Sequence, residues 1–261
     1  MGILNVTPDS FSDGGQYLDA EQAIRRGEKL AADGADIIDI GGESSRPGSD
    51  PVSLAEELRR VLPVLRELAK KVSIPLSIDT YKSEVANEAL DAGAEIVNDI
   101  SGLRSDPLMA DTVSAHDACM VLMHMKGTPK TMQEEPTYGN VVGEVSAFLR
   151  QQSRYAQHAG IHKIILDPGI GFGKTVEHNL ELLRRLEELT NLGFPILVGP
   201  SRKAFIGKLL DAPVEERLEG TVAAVTASIL RGASIVRVHD VRAMKRVATV
   251  ADALKSKPPA E

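Results

Sequence analysis

The chain has 261 residues, 43% of them apolar and 26% charged, with 37 acidic side chains against 30 basic ones for a net charge of −7. That composition excludes a disordered tail protein and a collagen-like repeat, and its net negative field disfavours nucleic acid and anionic membranes as partners. Cys119 is the single cysteine, which excludes an internal disulfide. No apolar run approaches the roughly 20 residues of a membrane span, and no signal peptide opens the sequence, so the expected location is the cytoplasm.

Short apolar segments alternate with longer amphipathic ones along the chain. Strands are predicted at residues 2–6, 36–40, 75–78, 95–97, 119–123, 163–166, 195–198 and 235–238, all rich in Ile, Val and Leu. Helices are predicted between them at 20–33, 53–71, 82–92, 107–116, 143–159, 177–190, 220–230 and 242–254. Gly34, Gly93, Gly160, Gly193 and Gly232 stand where a helix closes in a left-handed cap. Eight βα units in a chain of this length predict a (β/α)₈ TIM barrel, with a doubly wound open sheet as the runner-up. The barrel domain is expected over 1–255, followed by a frayed tail at 256–261 that contains Pro258-Pro259.

Each predicted strand ends in polar or ionisable residues. They are Asn5 with Thr7, Asp9 and Ser10; Asp39 and the run Gly41–Gly48; Asp79-Thr80; Asn98-Asp99; His124; Asp167; Ser201-Arg202-Lys203; and Arg237 with His239-Asp240. Any one of these is more often a cap or turn residue than a ligand. Eight together would converge on the C-terminal face of a barrel, where that fold carries its chemistry. Arg46, Arg202, Lys203, Arg237 and His239 can supply positive charge, and a short helix at about 203–209 would add backbone donors for a phosphate. Asp79, Asn98 and Asp167 suit a flat ring rich in N–H donors. Asn5, with Asp9 and Ser10, forms an oxygen-rich corner fit for Mg²⁺ against a diphosphate. These residues point to a phosphorylated heterocycle but do not name a reaction.

The opening string MGILNVTPDSFSDGG at 1–15 resembles the signature of the dihydropteroate synthase family, as does IIDIGGESSRPG at 37–48. The same family order continues through IDT at 78–80, VNDISG at 97–102, LMHMKGTPKTMQ at 122–133, LDPGIGFGK at 166–174, VGPSRKAFIG at 198–207 and RVHDV at 237–241. The resemblance covers essentially the whole chain. It implies a TIM barrel that joins 6-hydroxymethyl-7,8-dihydropterin diphosphate to 4-aminobenzoate with Mg²⁺, giving 7,8-dihydropteroate and diphosphate. It further implies that Asn5 holds Mg²⁺ and the diphosphate, and that Arg237 and His239 form the anion site. Asp79, Asn98, Asp167, Lys203 and Phe172 would bind the pterin, with Met123 lining its face. Ser45, Arg46, Phe172, Ser201 and Lys203 would shape the aminobenzoate end. The catalytic set is then Asp79, Lys203, Arg237 and His239. Sulfonamides, which mimic the aminobenzoate, become possible inhibitors, and the expected assembly is a homodimer, with Thr221–Leu230 as a candidate surface or as plain core packing.

The chain departs from the family at three points, one of them Pro200 before Ser201-Arg202-Lys203, whose ring removes one backbone donor. Ser45 stands where Thr is common. Met1 falls inside the signature, which predicts a shortened first strand of about four residues. Cys119 is expected to be a buried core thiol. Met120, Met123 and Met125 read as packing, with Met123 also placed to line the pterin face. His116, His158, His162 and His178 read as structural or surface residues, and His124 is undecided. Other functions compatible with the residues are the pterin-binding barrel of a corrinoid methyltransferase, a non-catalytic pterin-binding paralogue, and an aldolase using Lys203.

Overall fold

The computed structural model of the chain describes residues 1–7, 15–46 and 48–255. Asp9, Ser10, Pro47 and the tail at 256–261, all named in the sequence reading, lie outside the described residues. Strands β1 (Gly2–Asn5), β2 (Ile38–Gly41), β3 (Leu76–Asp79), β4 (Ile96–Asp99), β5 (Cys119–Met123) and β6 (Ile164–Asp167) pair in parallel in chain order. Strands β7 (Leu197–Val198) and β8 (Ile235–Val236) pair with each other. Parallel bridges Leu166↔Ile196 and Gly2↔Val238 join this pair to β6 and β1, so the sheet closes into a barrel of eight strands.

The first strand has four residues, one fewer than the predicted 2–6, and is not shorter than β2, β3, β4 or β6, which have four each. All four pair with β2, and the Met1 nitrogen donates to the Val236 carbonyl at 3.0 Å. The last two strands are shorter than predicted; before β7, Pro195 has no N–H to give the ladder.

The helices are α1 (Gly15–Ala32), α2 (Leu54–Lys71), α3 (Ser83–Asp91), α4 (Met109–Ala115), α5 (Val141–His158), α6 (Val176–Arg184), α7 (Glu187–Thr190), α8 (Ala204–Leu210), α9 (Leu218–Leu230) and α10 (Val241–Lys255). Ser53 caps α2 by accepting the Glu56 N–H at 3.3 Å. Pro63 removes one N–H from the middle of that helix, yet the helix continues. Val61, Val64, Leu65 and Leu68 hold it against the barrel, each contributing about 1.5–3 kcal/mol by burial. The single helix predicted at 177–190 is broken into α6 and α7. Arg185 leaves helical geometry at the break while its guanidinium bonds Glu181 and Glu188.

Strand residues alternate between two environments. Ile38, Ile40, Leu76, Ile78, Val97, Met120, Leu122 and Leu166 join the large core between strands and helices. The other set faces the barrel axis. At its N-terminal end this set is an apolar plug of Met1, Ile96, Val121, Ile165 and Leu197. Cys119 packs at the edge of the plug and is half-buried, not the fully buried core thiol expected, because β5 enters the barrel there.

Candidate active site

Above the plug the axis-facing positions turn polar. Register places Asp39 beside Ser77, and Gly41 beside Asp79, which in turn lies beside Asn98. Arg237, which follows β8, reaches across this layer. Its Nε donates to Asp39 Oδ2 and its Nη2 to Asp79 Oδ2, both at 2.6 Å. Asn98 Nδ2 donates to the same Asp39 oxygen at 3.0 Å. Burial raises Asp79 to about 7 against the opposing pull of Arg237. Burial also pulls the guanidinium down, but Asp39 and Asp79 hold it above its ordinary value. Asp39 Oδ1 and Ser77 Oγ have no hydrogen bond, the two such buried side-chain atoms among the described residues.

Asp39 received no role from the sequence, although it is fully buried and organises this cluster. The available signal was an acidic residue between Ile38 and Ile40, which point to the helices and so turn Asp39 toward the axis.

Asp167 ends β6, and its Oδ1 accepts the Gly169 N–H at 2.7 Å. Burial raises its carboxyl to about 6. Lys203 Nζ lies 3.9 Å from the centre of the Phe172 ring, and burial followed by repulsion from Arg237 lowers its ammonium to about 8. Phe172 and Met123 pack in a second apolar cluster with Ile100, Met125 and Met132, bordered by Tyr81. This cluster walls the mouth of the barrel beside Asp167.

The turn after β6 is held by Lys174, which the sequence analysis assigned no role. Lys174 is 3% exposed. Its Nζ donates at 3.0 Å to His124 Nδ1 and to the carbonyls of Gly169 and Phe172. The role of His124 is therefore that of an acceptor. Burial and the Lys174 charge lower its imidazole to about 3, so the ring is neutral with Nδ1 free of a proton. Gly169 adopts φ +68, and a Cβ there would lie 1.9 Å from the His124 carbonyl oxygen, so only glycine fits.

Ser201 Oγ accepts the His239 backbone N–H at 3.2 Å and lies 3.0 Å from its Nδ1. Burial and the Arg237 charge lower His239 to about 4. Its expected positive charge is thus corrected to a neutral ring near pH 7. Arg202 is also corrected as a site cation, because its Nε and Nη2 donate to both oxygens of Asp240 at 2.9 and 2.8 Å. The expected short helix is α8, of seven residues, with Lys203 as its N-terminal cap.

Ser45 is half-buried and Arg46 exposed on the segment that follows β2. Ser49 Oγ donates to the Arg46 carbonyl at 2.8 Å, and the Gly48 N–H donates to the Pro129 carbonyl at 3.1 Å. Asn5, half-buried at the end of β1, lies level with Gly41. No group of three or more His, Cys, Asp or Glu capable of holding a metal occurs among the described residues. Asn5 nonetheless offers a hard amide oxygen at the mouth, and Mg²⁺ bound to a diphosphate needs only one or two such protein ligands.

His116, His158 and His178 make local contacts close to their own helices. They bond the carbonyls of Thr112 and Arg154, and Thr175 at the start of α6. No helix among the described residues is long and apolar enough to cross a membrane.

Residues 1–239 match the pterin binding enzyme family. The dihydropteroate synthase of Synechocystis sp. is 53% identical over 97% of this chain and 89% of its own length. Two solved structures superpose closely. The Yersinia pestis dihydropteroate synthase with a sulfonamide drug complex is 42% identical, with a TM-score of 0.93, covering 98% of this chain and 94% of that one. The Xanthomonas albilineans dihydropteroate synthase in complex with 7,8-dihydropteroate is 44% identical, with a TM-score of 0.89, covering 99% and 94%. A polar, carboxylate-lined mouth on a TIM barrel, matched in sequence and fold over nearly the whole chain, makes this protein a member of the pterin-binding dihydropteroate synthase family.

Proposed function

We propose that the chain is a transferase that condenses 6-hydroxymethyl-7,8-dihydropterin diphosphate with 4-aminobenzoate to give 7,8-dihydropteroate and diphosphate. The observation that carries this reading is the convergence of Asp79, Asn98, Asp167, Lys203 and Arg237 on one end of the barrel. The relative bound to 7,8-dihydropteroate supports it.

In this reading the bond between the pterin methylene carbon and the diphosphate oxygen breaks, and its electron pair leaves with diphosphate. The aniline nitrogen supplies the pair for the new C–N bond and then loses a proton to water. Asp167 accepts hydrogen bonds from the pterin amino and ring N–H groups, while Asn98 both donates and accepts. Asp79, held by Arg237, opposes the positive charge that develops on the pterin. Lys203 donates to the pterin carbonyl from its seat over Phe172. Met123 and Phe172 flank the ring. Arg46, Ser45 and Ser201 take the aminobenzoate end, with Arg46 facing its carboxylate.

Arg237 and His239 address the diphosphate, His239 as a neutral N–H donor and not as a cation. Mg²⁺ held by Asn5 and by diphosphate oxygens would neutralise charge on the leaving group. The half-buried Cys119 thiol suits a reducing compartment, and the cytoplasm is the location this reading carries.

Sulfonamides compete for the aminobenzoate end, by analogy with the Yersinia relative. A second copy of the chain is the expected partner. Leu180, Phe205, Leu209, Leu210, Ala223 and Ala227 line an apolar groove of about 410 Å³ between α6, α8 and α9. α9 thus packs on α10 with one side and offers another side for a homodimer.

The test is diphosphate release by the purified chain given the pterin diphosphate, Mg²⁺ and 4-aminobenzoate, each omitted in turn. Release that requires all three supports the transferase. Pterin binding without release indicates a corrinoid methyltransferase barrel or a non-catalytic paralogue. Borohydride trapping of a carbonyl substrate on Lys203 would favour an aldolase.

A further inference from the structure

The segment after β2 that carries Ser45 and Arg46 is fixed at its base by a buried charge cluster outside the catalytic set. Glu43 begins the segment and Val52 ends it. Glu43 Oε2 accepts the Val52 N–H at 3.0 Å and the Lys82 ammonium at 2.6 Å. Its other oxygen, Oε1, accepts the Tyr81 hydroxyl. Lys82 Nζ donates further to the Val52 carbonyl at 2.7 Å and to Glu57 on α2. All three ammonium protons are thus used. Arg60, also on α2, donates from Nη1 to the Gly42 carbonyl at 2.8 Å. The side chains of Glu57, Glu43 and Lys82 are only 1%, 10% and 18% exposed.

By contrast, the outer part of the segment is held by contacts within itself, by the Gly48–Pro129 bond, and by an exposed Asp50–Lys130 pair that contributes little. The direction in which Ser45 and Arg46 leave the barrel is therefore set at the base. Tyr81 is the link to the rest of the site. It stands two residues after Asp79, its ring borders the apolar cluster containing Met123 and Phe172, and its hydroxyl reaches Glu43.

We propose that Glu43, with Tyr81 and Lys82, is a positioning cluster that sets affinity for the aminobenzoate half of the reaction by holding the Ser45–Arg46 segment against the pterin pocket wall. The assignment rests on the function proposed above. The cluster touches no substrate. It acts through the backbone at 42–43 and 52, so its removal should loosen one substrate's subsite and spare the other's.

Two gentle substitutions test this. Tyr81→Phe deletes one hydroxyl and keeps the ring in its apolar cluster. Glu43→Gln keeps the shape and removes one of the two carboxylates facing Lys82. Each should raise KM for 4-aminobenzoate about tenfold, as expected for a lost hydrogen bond to a charged group, and leave KM for the pterin diphosphate within about twofold. The inhibitory concentration of a sulfonamide should move with the aminobenzoate KM. Deuterium exchange in residues 42–52 should quicken in both variants.

A merely structural role would lower the active fraction, and hence apparent kcat, with both KM values unchanged, and that result overturns the proposal. So do equal rises in both KM values, or unchanged exchange in 42–52. A wild-type chain that releases no diphosphate would refute the functional reading instead, and the exchange measurement would still judge the clamp.

Discussion

Replacing Arg237 with Met leaves two buried carboxylates facing each other across the barrel. The wild-type guanidinium lies 2.6 Å from both Asp39 and Asp79, with Asp39 fully buried. A charge pair at about 4 Å and an effective dielectric near 20 is worth roughly 4 kcal/mol. Losing two such pairs is partly offset, because the arginine is no longer desolvated. Breaking a buried ion cluster by removing one partner costs about 3–5 kcal/mol, and Arg237→Met is expected in that range at pH 8.

The loss should shrink in acid. Burial already raises Asp79 to about 7, so the folded chain binds that proton more tightly than the unfolded chain, and stability falls as pH rises from about 4 toward 7. Without Arg237 the carboxyl rises further, and the fall extends to higher pH. Urea unfolding of both proteins at pH 5 and pH 8 measures the gap. A loss below about 1 kcal/mol at both pH values would mean that water screens the cluster, and would refute the reasoning. Arg237→Lys should recover only part of the loss, since an ammonium cannot span two carboxylates as the planar fork does. Ligand binding adds a second readout: Arg237→Ala should weaken diphosphate-bearing ligands far more than pteroate-like ones.

Asp79→Asn is expected to keep pterin diphosphate affinity within a modest factor while lowering turnover by about 10²–10³, read by steady-state kinetics. It should also flatten the decline in stability between about pH 4 and 7 that Asp79 imposes. Lys174→Met strands the His124 Nδ1 and three carbonyls, and should cost about 2–4 kcal/mol in urea unfolding at pH 7. Burial lowers Lys174 to about 7, so the folded chain releases that proton first. Wild-type stability should therefore gain from this group as pH rises from 7 to about 10, and the Met variant should lack the gain. Asn5→Ala should raise the Mg²⁺ concentration needed for half-maximal diphosphate release without altering pteroate binding, and chelation should abolish release in the wild type.

The barrel was legible because its strands are short apolar runs, because glycine closes many of the helices between them, and because every strand ends in polar residues. The break between α6 and α7 was not legible: neither glycine nor proline marks it, and only the bonds of Arg185 to both sides reveal it. At the site, position alone marked Asp79, Asn98, Asp167, Lys203 and Arg237 as candidates, since a barrel delivers strand ends to one face. Their pairing could not. Nothing in the order of residues says that Arg237 bridges Asp39 and Asp79, or that Arg202 is tied to Asp240 and its neighbour Lys203 lies over Phe172. The charge state of His239 was misread for the same reason, since burial and the nearby guanidinium are properties of the assembled mouth. Lys174 was passed over because a lysine after a glycine-rich turn is usually solvated, and only the fold shows four acceptors closing around it.

The most direct test of the central claim is the identity of the product formed from 4-aminobenzoate labelled with ¹⁵N at its amine. The account predicts dihydropteroate carrying the label, formed in equal amount with diphosphate and only when the pterin diphosphate and Mg²⁺ are both present. Diphosphate released without labelled dihydropteroate would contradict it and leave a hydrolase. Absence of both, with the pterin diphosphate still bound, would leave a barrel that holds a pterin and performs no transfer.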